Sequence, residues 1–490
     1  MRAENGKKNR IFGGLIWTFG ERISAQLVSA IVGIILARLL MPEDYGVISI
    51  VLVFITFCDV FVTSGLGTAI VQKQKASQED YNTAFTMSLI MAVVLYVVLY
   101  VSAPRIAHFY SMPILKPVIR VLGIRVIITA INTIQHAIIQ REMAFRKFFF
   151  ATLIGTLISC AVGIVMAYSG FGVWALVAQY LTNTVIDTSV LSFVNKWKPK
   201  IILSKESAGH IISFGGKILI TNIILNLVGE VRSLIVGKVF GPAELAYYDQ
   251  GRKYPKLVID NVDSAIQEVM LPTFSRVQDN ISELKSILRK SISVSIYVMA
   301  PLLLGLLAVA DTFVSAILTE KWDFAIPFVR IFCLMFISWP LTSSCHQALL
   351  AIGKSNLVLW ILLTSSSAQL ILDLIAVFVF RNLLLAAVFA VVASFVSVIG
   401  FEIAMNRLAD YKSAEQIKDV LPSLLISSVM CISVYLMHTI QINKVLLLIV
   451  QILTGAAVYV SLSVLFKLEP YIYLRNLLKE KLLNKNIPAD

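Results

Sequence analysis

Apolar and polar positions along this chain fall into long blocks. Runs of about 20 mostly apolar residues, the length a helix needs to cross a bilayer, recur throughout. They lie near 12–38, 46–66, 82–102, 116–139, 146–168, 172–194, 211–237, 243–270, 290–310, 325–349, 356–380, 384–405, 420–438 and 445–466. Only short connections separate them. The pattern predicts an all-α polytopic membrane protein with about 14 transmembrane helices.

The run at 243–270 departs from the others, because it carries Asp249, Arg252, Lys253, Lys256, Asp260, Asp263 and Glu268. All but Glu268 fall with Gln267 on one helical face, since 249, 253, 256, 260, 263 and 267 are spaced by four and three residues. Tyr254, Val258, Val262, Ala265 and Val269 line the opposite face. Each charge facing lipid costs roughly 2.5–3.5 kcal/mol, so the set costs about 20 kcal/mol. A folded protein holds together by only about 5–15 kcal/mol. The stripe is therefore expected to face water, counter-charges or a charged substrate. Two plainer alternatives stand beside this: a helix outside the membrane, and internal pairing of Asp249 with Lys253 and of Lys256 with Asp260.

Charge asymmetry favours keeping this helix in the membrane. With the N-terminus cytoplasmic, outward connections carry seven Lys or Arg residues, and inward ones with both termini carry 26, as cytoplasmic loops do. Removing the polar helix would put the basic segments 407–418 and 467–485 outside. A weak internal repeat agrees. Phe19-Gly20 opens the first helix and Phe214-Gly215 the seventh, and residues 37–46 align with 237–246 so that Pro42 falls over Pro242. The copies lie six helices apart, which implies a parallel repeat. The expected organisation is an N-lobe at 1–200, a C-lobe at 201–410, and two further helices with a cytoplasmic tail at 411–490. In that tail Leu474, Leu477, Leu478 and Leu482 oppose Arg475, Lys479, Lys481 and Lys485, which reads as a membrane-surface helix or a solvated tail.

Composition narrows the function. Of 490 residues 58% are hydrophobic and 14% charged, with a mean hydropathy of +0.83, which excludes a soluble globular chain. The net charge of +13 is scattered singly rather than gathered in blocks with aromatics, so no nucleic-acid partner is expected. Cys58, Cys160, Cys333, Cys345 and Cys431 form no CxxC and read as small core residues. Gly353-Lys354-Ser355 lacks the glycine a phosphate-binding loop needs five residues earlier, where Ala348 stands. The five histidines show no metal-ligand spacing. No cofactor, no metal and no enzymatic chemistry are expected. The basic N-terminus leads into an apolar run without a small-residue cleavage site, as a retained first helix would.

Intramembrane polarity remains. In the first helix Thr18, Arg22, Ser29 and Gly33 share a face, with Glu21 and Gln26 at its margins. In the seventh Asn222, Asn226, Gly229 and Ser233 share one, with Glu230 beside it. Together with the stripe these predict a polar cavity between the lobes. Its candidate substrate ligands are Arg22, Asn222, Asn226, Arg252, Lys253 and Lys256. Its candidate ion-coupling acids are Asp249, Glu230 and Asp260. Glu21, Arg22 and Lys217 have snorkelling to the surface as an alternative role. Asp59 and Asp187, each the lone acid of its apolar run, read either as coupling carboxylates or as groups hydrogen-bonded to a neighbour. Trp339, mid-helix, reads as packing.

Residues 37–46, followed by Gly65-Leu66-Gly67-Thr68-Ala69-Ile70-Val71-Gln72, resemble the polysaccharide exporters of the multidrug/oligosaccharidyl-lipid/polysaccharide flippase superfamily. Arg141-Glu142-Met143-Ala144-Phe145-Arg146 and Gly170-Phe171-Gly172-Val173-Trp174-Ala175-Leu176-Val177 are similar to further stretches, and Ser213-Phe214-Gly215 and Leu271-Pro272 add weaker matches. The resemblance runs over about residues 10–410. It implies a V-shaped transporter of the cytoplasmic membrane that moves polyprenyl-pyrophosphate-linked oligosaccharide repeat units between leaflets for capsule, exopolysaccharide or O-antigen synthesis. The implied partners are that lipid-linked substrate, membrane lipids, an H+ or Na+ gradient, and polysaccharide polymerase and chain-length machinery. An ion-coupled exporter of cationic drugs with the same fold is the alternative, and it would want an acid-dominated cavity. A membrane-embedded polymerase would want a large outer loop or an acidic metal-binding cluster.

Overall fold

A computed structural model describes residues 28–484 except 64–65, 74–75, 143–144 and 196. The described residues contain helices and no strands. Ten helical segments are long and apolar enough to cross a membrane by length and composition. Helices over 173–195, 205–239 and 242–276, and Val28–Leu39 at the end of the first run, match the remaining expected spans. The chain is an all-α, multi-pass membrane protein.

By internal contacts the chain divides into two compact units, Met1–Ala246 and Tyr247–Asp490. The first holds α1 (Val28–Leu39), α2 (Pro42–Thr63), α3 (Leu66–Gln72), α4 (Gln78–Tyr110), α5 (Leu115–Leu122), α6 (Ile124–Glu142), α7 (Phe145–Tyr168), α8 (Val173–Asn195) and α9 (Lys205–Val239). Here α8 packs along α7 and α6, and α2 lies against α6 and α9. Ala69, Ile70, Ala84, Phe85, Ile134 and Ala137 form one buried cluster, the apolar burial that holds such a layer together. Polar groups fix where α4 begins. Ser77 Oγ accepts from the Asp80 N–H at 3.2 Å, while Asp80 Oδ2 accepts from the Ser77 N–H at 2.8 Å, a reciprocal N-terminal cap. Asp80 Oδ1 also accepts from Lys73 Nζ and Ser207 Oγ, both at 2.7 Å. One carboxylate thus ties the starts of α4 and α9 together.

The second unit holds most of α10 (Pro242–Arg276), then α11 (Ile281–Phe313), α12 (Ile326–Phe336), α13 (Trp339–Ala351), α14 (Ser355–Leu374), α15 (Leu383–Ala409), α16 (Ser413–Leu436), α17 (Lys444–Leu465) and α18 (Glu469–Asn484). Its centre is α11. Leu284, Leu288, Ile292, Ile296 and Ala300, four residues apart, form one fully buried ridge. That ridge shares a core with Cys345, Ala348 and Leu349 of α13 and with Phe401 and Met405 of α15. Arg289 clamps α16 by donating to Asp419 through Nε and Nη2 at 2.8 and 2.7 Å, and Lys285 pairs with Glu415 at 2.7 Å. Tyr411, in the α15–α16 connection, is fully buried and donates to Asp419 Oδ2 at 2.8 Å. Burial, and then that hydrogen bond to the carboxylate, hold its phenol well above the ordinary pKa.

Two expected single helices are broken. The run 116–139 divides at Gly123 into α5 and α6, and 325–349 divides into α12 and α13. Pro340 stands at the start of α13, where its missing N–H prevents a bond back into α12. Gly353-Lys354-Ser355 proves to be a helix ending. Gly353 has φ +74°, and the N–H groups of Gly353 and Lys354 donate to the carbonyls of Leu350 and Leu349 at 3.0 and 2.9 Å, closing α13. Over its described residues the tail is helical, as α18, and meets α11.

Candidate functional site

The polar stripe lies on α10, whose 35 residues extend about 52 Å at 1.5 Å per residue. From Tyr247 on it belongs to the second unit. The stripe resolves into parts with different neighbours.

Its later part is structural. Asp263 is 7% exposed and is held by neutral donors of α13. Ser343 Oγ donates to Asp263 Oδ1 at 2.6 Å and Trp339 Nε1 to Oδ2 at 3.0 Å. Gln267 Nε2 donates to Asp263 Oδ2 and, at 2.8 Å, to Ser343 Oγ. Gln347 Nε2 donates to Gln267 Oε1 at 2.8 Å. A buried carboxylate satisfied in this way needs no cation. Trp339, which reads as packing in the sequence, is one of its donors. Residues 339, 343 and 347 form a one-face polar ridge on α13 that the sequence shows at i, i+4, i+8 spacing.

One turn earlier, Lys256 Nζ lies 2.7 and 2.6 Å from the Asp260 oxygens, and both side chains are exposed. The i,i+4 pair is thus formed, an exposed arrangement worth only about 0.3–0.5 kcal/mol on a helix. Asp249, in the first turns, has a partner of its own.

Arg252 and Lys253 differ. Neither has a hydrogen bond or an ion pair among the described residues, and Arg252 Nε is buried without an acceptor. The ammonium of Lys253 lies 5.9 Å from the centroid of the Tyr254 ring. Gln250 Oε1 and the Tyr254 hydroxyl beside them are also buried without a partner, and two adjacent cations without acceptors in such a polar stretch are suited to receiving an anion from outside the unit. Of the other expected ligands, Arg22 lies outside the described residues, as do Glu21 and Gln26 and the side chains of Asn222 and Asn226. Glu230 belongs to α9 in the first unit, is half-buried and has a partner.

A second polar network, within the first unit, involves Asp59 and Asp187. Arg125 Nη2 of α6 lies 3.6 Å from Asp59 Oδ2 of α2, and its Nε donates to Thr184 Oγ1 of α8 at 3.2 Å. Asp187 Oδ2 of α8 accepts from Asn132 Nδ2 at 2.8 Å and lies 3.3 Å from His136 Nε2, both on α6. Thr129, Asn132 and His136 also border a cavity of about 320 Å³ together with Thr63, Gly67 and Thr68. The sequence carried the signal for this network in the spacing of Arg125, Thr129, Asn132 and His136 along one face of α6. No single helix shows it, because its acids lie on α2 and α8 and their partners on α6.

The chain matches the family model described as polysaccharide biosynthesis protein over residues 35–327. It is 23% identical to the succinoglycan biosynthesis transport protein ExoT of Rhizobium meliloti (strain 1021), over 66% of each chain. It is 22% identical to the lipopolysaccharide biosynthesis protein WzxC of Escherichia coli (strain K12), over 64% of this chain and 66% of that one. The matches therefore span just under two thirds of these relatives. Among solved structures, the lipid II flippase MurJ in an inward closed conformation superposes with a TM-score of 0.75 at 15% identity, covering 93% of this chain and 98% of that one. An inward-facing multidrug resistance MATE family transporter of the MOP superfamily gives 0.61 at 16%, covering 79% and 95%. The fold is thus that of the superfamily read from the sequence motifs, and with more than half its length matched the chain belongs to the polysaccharide biosynthesis protein family.

Proposed function

We propose that this protein is a flippase that moves polyprenyl-pyrophosphate-linked oligosaccharide repeat units from the inner to the outer leaflet of the cytoplasmic membrane for cell-surface polysaccharide synthesis. The observation that carries this reading is the Arg252–Lys253 pair, which has no hydrogen bond or ion pair among the described residues. A pyrophosphate and sugars cannot cross about 30 Å of hydrocarbon without losing hydration. Two cations without acceptors match the phosphates, and the prenyl chain stays in lipid. Arg22, Asn222, Asn226 and Lys256 complete the proposed substrate site, with Asp249, Glu230 and Asp260 as acids for coupling to an H+ or Na+ gradient. Family membership and the transport and lipopolysaccharide names of the relatives support the same cargo class.

In this reading both termini are cytoplasmic, as the basic loops favour, and lobes at 1–200 and 201–410, with 411–490 attached, rock to give alternating access. The protein transports rather than catalyses, and it hands its cargo to polymerase and chain-length machinery. A cationic-drug exporter would want unpaired acids, whereas Arg252 and Lys253 are cations. The test is to delete the gene and extract the lipids. Polyprenyl-linked oligosaccharides accumulating on the cytoplasmic side, and clearing on re-expression of the wild-type chain, are expected. No accumulation, with new sensitivity to cationic drugs, would overturn the reading in favour of drug export.

A further inference from the structure

Between α8 and α9 the chain runs as a strap without regular secondary structure over residues 197–204. Side chains of α4 bind three of its alternate backbone N–H groups. Lys200 donates to Asn82 Oδ1, Ile202 to Thr86 Oγ1 and Ser204 to Thr83 Oγ1, each at 3.1 Å. Just beyond, Ser207 Oγ donates to Asp80 Oδ1 at 2.7 Å. All four acceptors are buried. Thr86 is free to accept because its own proton goes to the Asn82 carbonyl at 2.8 Å. Trp197 secures the near end, its ring edge-on to Phe85 with centroids 5.9 Å apart.

The order of these partners describes a dip. From Asn82 to Thr86 the strap climbs one turn of α4, about 6 Å, and then returns past Thr83 to Asp80. The apex carries the aliphatic side chains, and there Ile201 and Leu203 are 78% and 59% exposed. Water gives no reason to hold N–H groups inside the protein while aliphatic groups stand out. Hydrocarbon does, since it offers the backbone no hydrogen bond.

The surface beside the apex is a lipid face. Asn82, Thr86, Ile90, Val93 and Val97 follow at steps of four and three residues along one side of α4. Ile90, Val93 and Val97 are exposed on a helix long and apolar enough to span a membrane. The strap covers the polar beginning of this side and presents aliphatic groups in its place. Charge flanks the apex. Residues 196–206 carry Lys196, Lys198, Lys200 and Lys205 against one acid, Glu206. Lys198, Lys200 and Lys205 are exposed and have no hydrogen bond or ion pair among the described residues.

We propose that this strap dips into the membrane boundary, with Ile201 and Leu203 in the acyl layer and Lys198, Lys200 and Lys205 on the phosphates of anionic phospholipids. Apolar groups buried about 5–10 Å below the headgroups, with cations above them, are how amphipathic segments hold a membrane surface. Lysines near an anionic leaflet add an attraction that salt screens. The strap thereby fixes the start of α9 to the lipid as well as to α4.

The test uses full-length protein in lipid nanodiscs, with a nitroxide on Ile201→Cys or Leu203→Cys and, as reference, on Lys198→Cys. The native cysteines are buried or half-buried, and unsubstituted protein taken through the same labelling gives the background. The ratio of collisions with oxygen, which concentrates in hydrocarbon, to those with a water-soluble nickel chelate is expected to be several-fold higher at 201 and 203 than at 198. Labels at 201 and 203 that meet nickel as freely as the label at 198 overturn the dip. Replacing phosphatidylcholine by phosphatidylglycerol is expected to slow the motion of the 201 label several-fold. That effect should fade in high salt and in protein that also carries Lys198→Gln, Lys200→Gln and Lys205→Gln. Equal mobility in the two lipids overturns the contact with anionic headgroups. A 201 label open to nickel in nanodiscs but shielded in native membrane vesicles would put a protein partner on the strap and overturn the proposal. None of these readouts involves transport, so they stand apart from the flippase reading.

Discussion

Gly46 of α2 lies so close to Pro242 that a Cβ on the glycine would stand 1.8 Å from the Pro242 carbonyl oxygen. Both residues belong to the aligned phrases 37–46 and 237–246, each of which starts a helix with proline. The starts of α2 and α10 therefore meet backbone to backbone, which only a residue without a side chain allows. Gly46→Ala is expected to force the two helix starts apart at a cost of about 1–3 kcal/mol. Thermal unfolding of the purified variant in detergent checks this; an unchanged midpoint would show that the contact is loose.

Asp263 is expected to be a stability residue. Asp263→Ala leaves Ser343, Trp339 and Gln267 without their shared acceptor, at about 1–3 kcal/mol for each donor left unpaired. Asp263→Asn, which keeps an acceptor oxygen, is expected to cost less. Thermal unfolding that ranks wild type above Asn above Ala supports this, and equal midpoints for Asn and Ala would contradict it.

Arg289 and Asp419 join α11 to α16 through two parallel hydrogen bonds, the geometry that makes guanidinium–carboxylate pairs specific. A double-mutant cycle of Arg289→Ala and Asp419→Ala is expected to give a coupling of about 1 kcal/mol, because the arginine is partly exposed. Zero coupling would mean that the Lys285–Glu415 pair and apolar packing hold the helices without help from Arg289 and Asp419.

Replacing both Arg252 and Lys253 by alanine is expected to lower transport by tenfold or more in a protein that still inserts and unfolds normally. Arg252→Lys alone should retain part of the activity, since a lysine keeps the charge and loses the two-point fit to phosphate. Normal transport by the double variant would remove the pyrophosphate role.

The number and order of the helices were legible because crossing about 30 Å of hydrocarbon demands long apolar runs, and short connections leave few ways to misplace them. The helix starts at Pro42 and Pro242 were legible, since a proline's lack of an N–H suits a helix start. The breaks at Gly123 and before Pro340 were not, since apolar composition continues through both. Within the stripe, the Lys256–Asp260 pair follows from i,i+4 spacing on one helix. The partners of Asp263 do not, because Trp339 and Ser343 reach it from a helix 76 and 80 residues away, and nothing local marks that distance. The Asp187 network was hidden for the same reason, being built across three helices.

The most direct test of the central claim is leaflet crossing by the purified wild-type protein. Proteoliposomes containing a fluorescent polyprenyl-pyrophosphoryl oligosaccharide in both leaflets are exposed to a membrane-impermeant quencher. The flippase reading predicts that the inner-leaflet fraction becomes quenchable over minutes with wild type and stays protected in empty vesicles and with Arg252→Ala/Lys253→Ala. A protected fraction as large with wild type as in empty vesicles would contradict it.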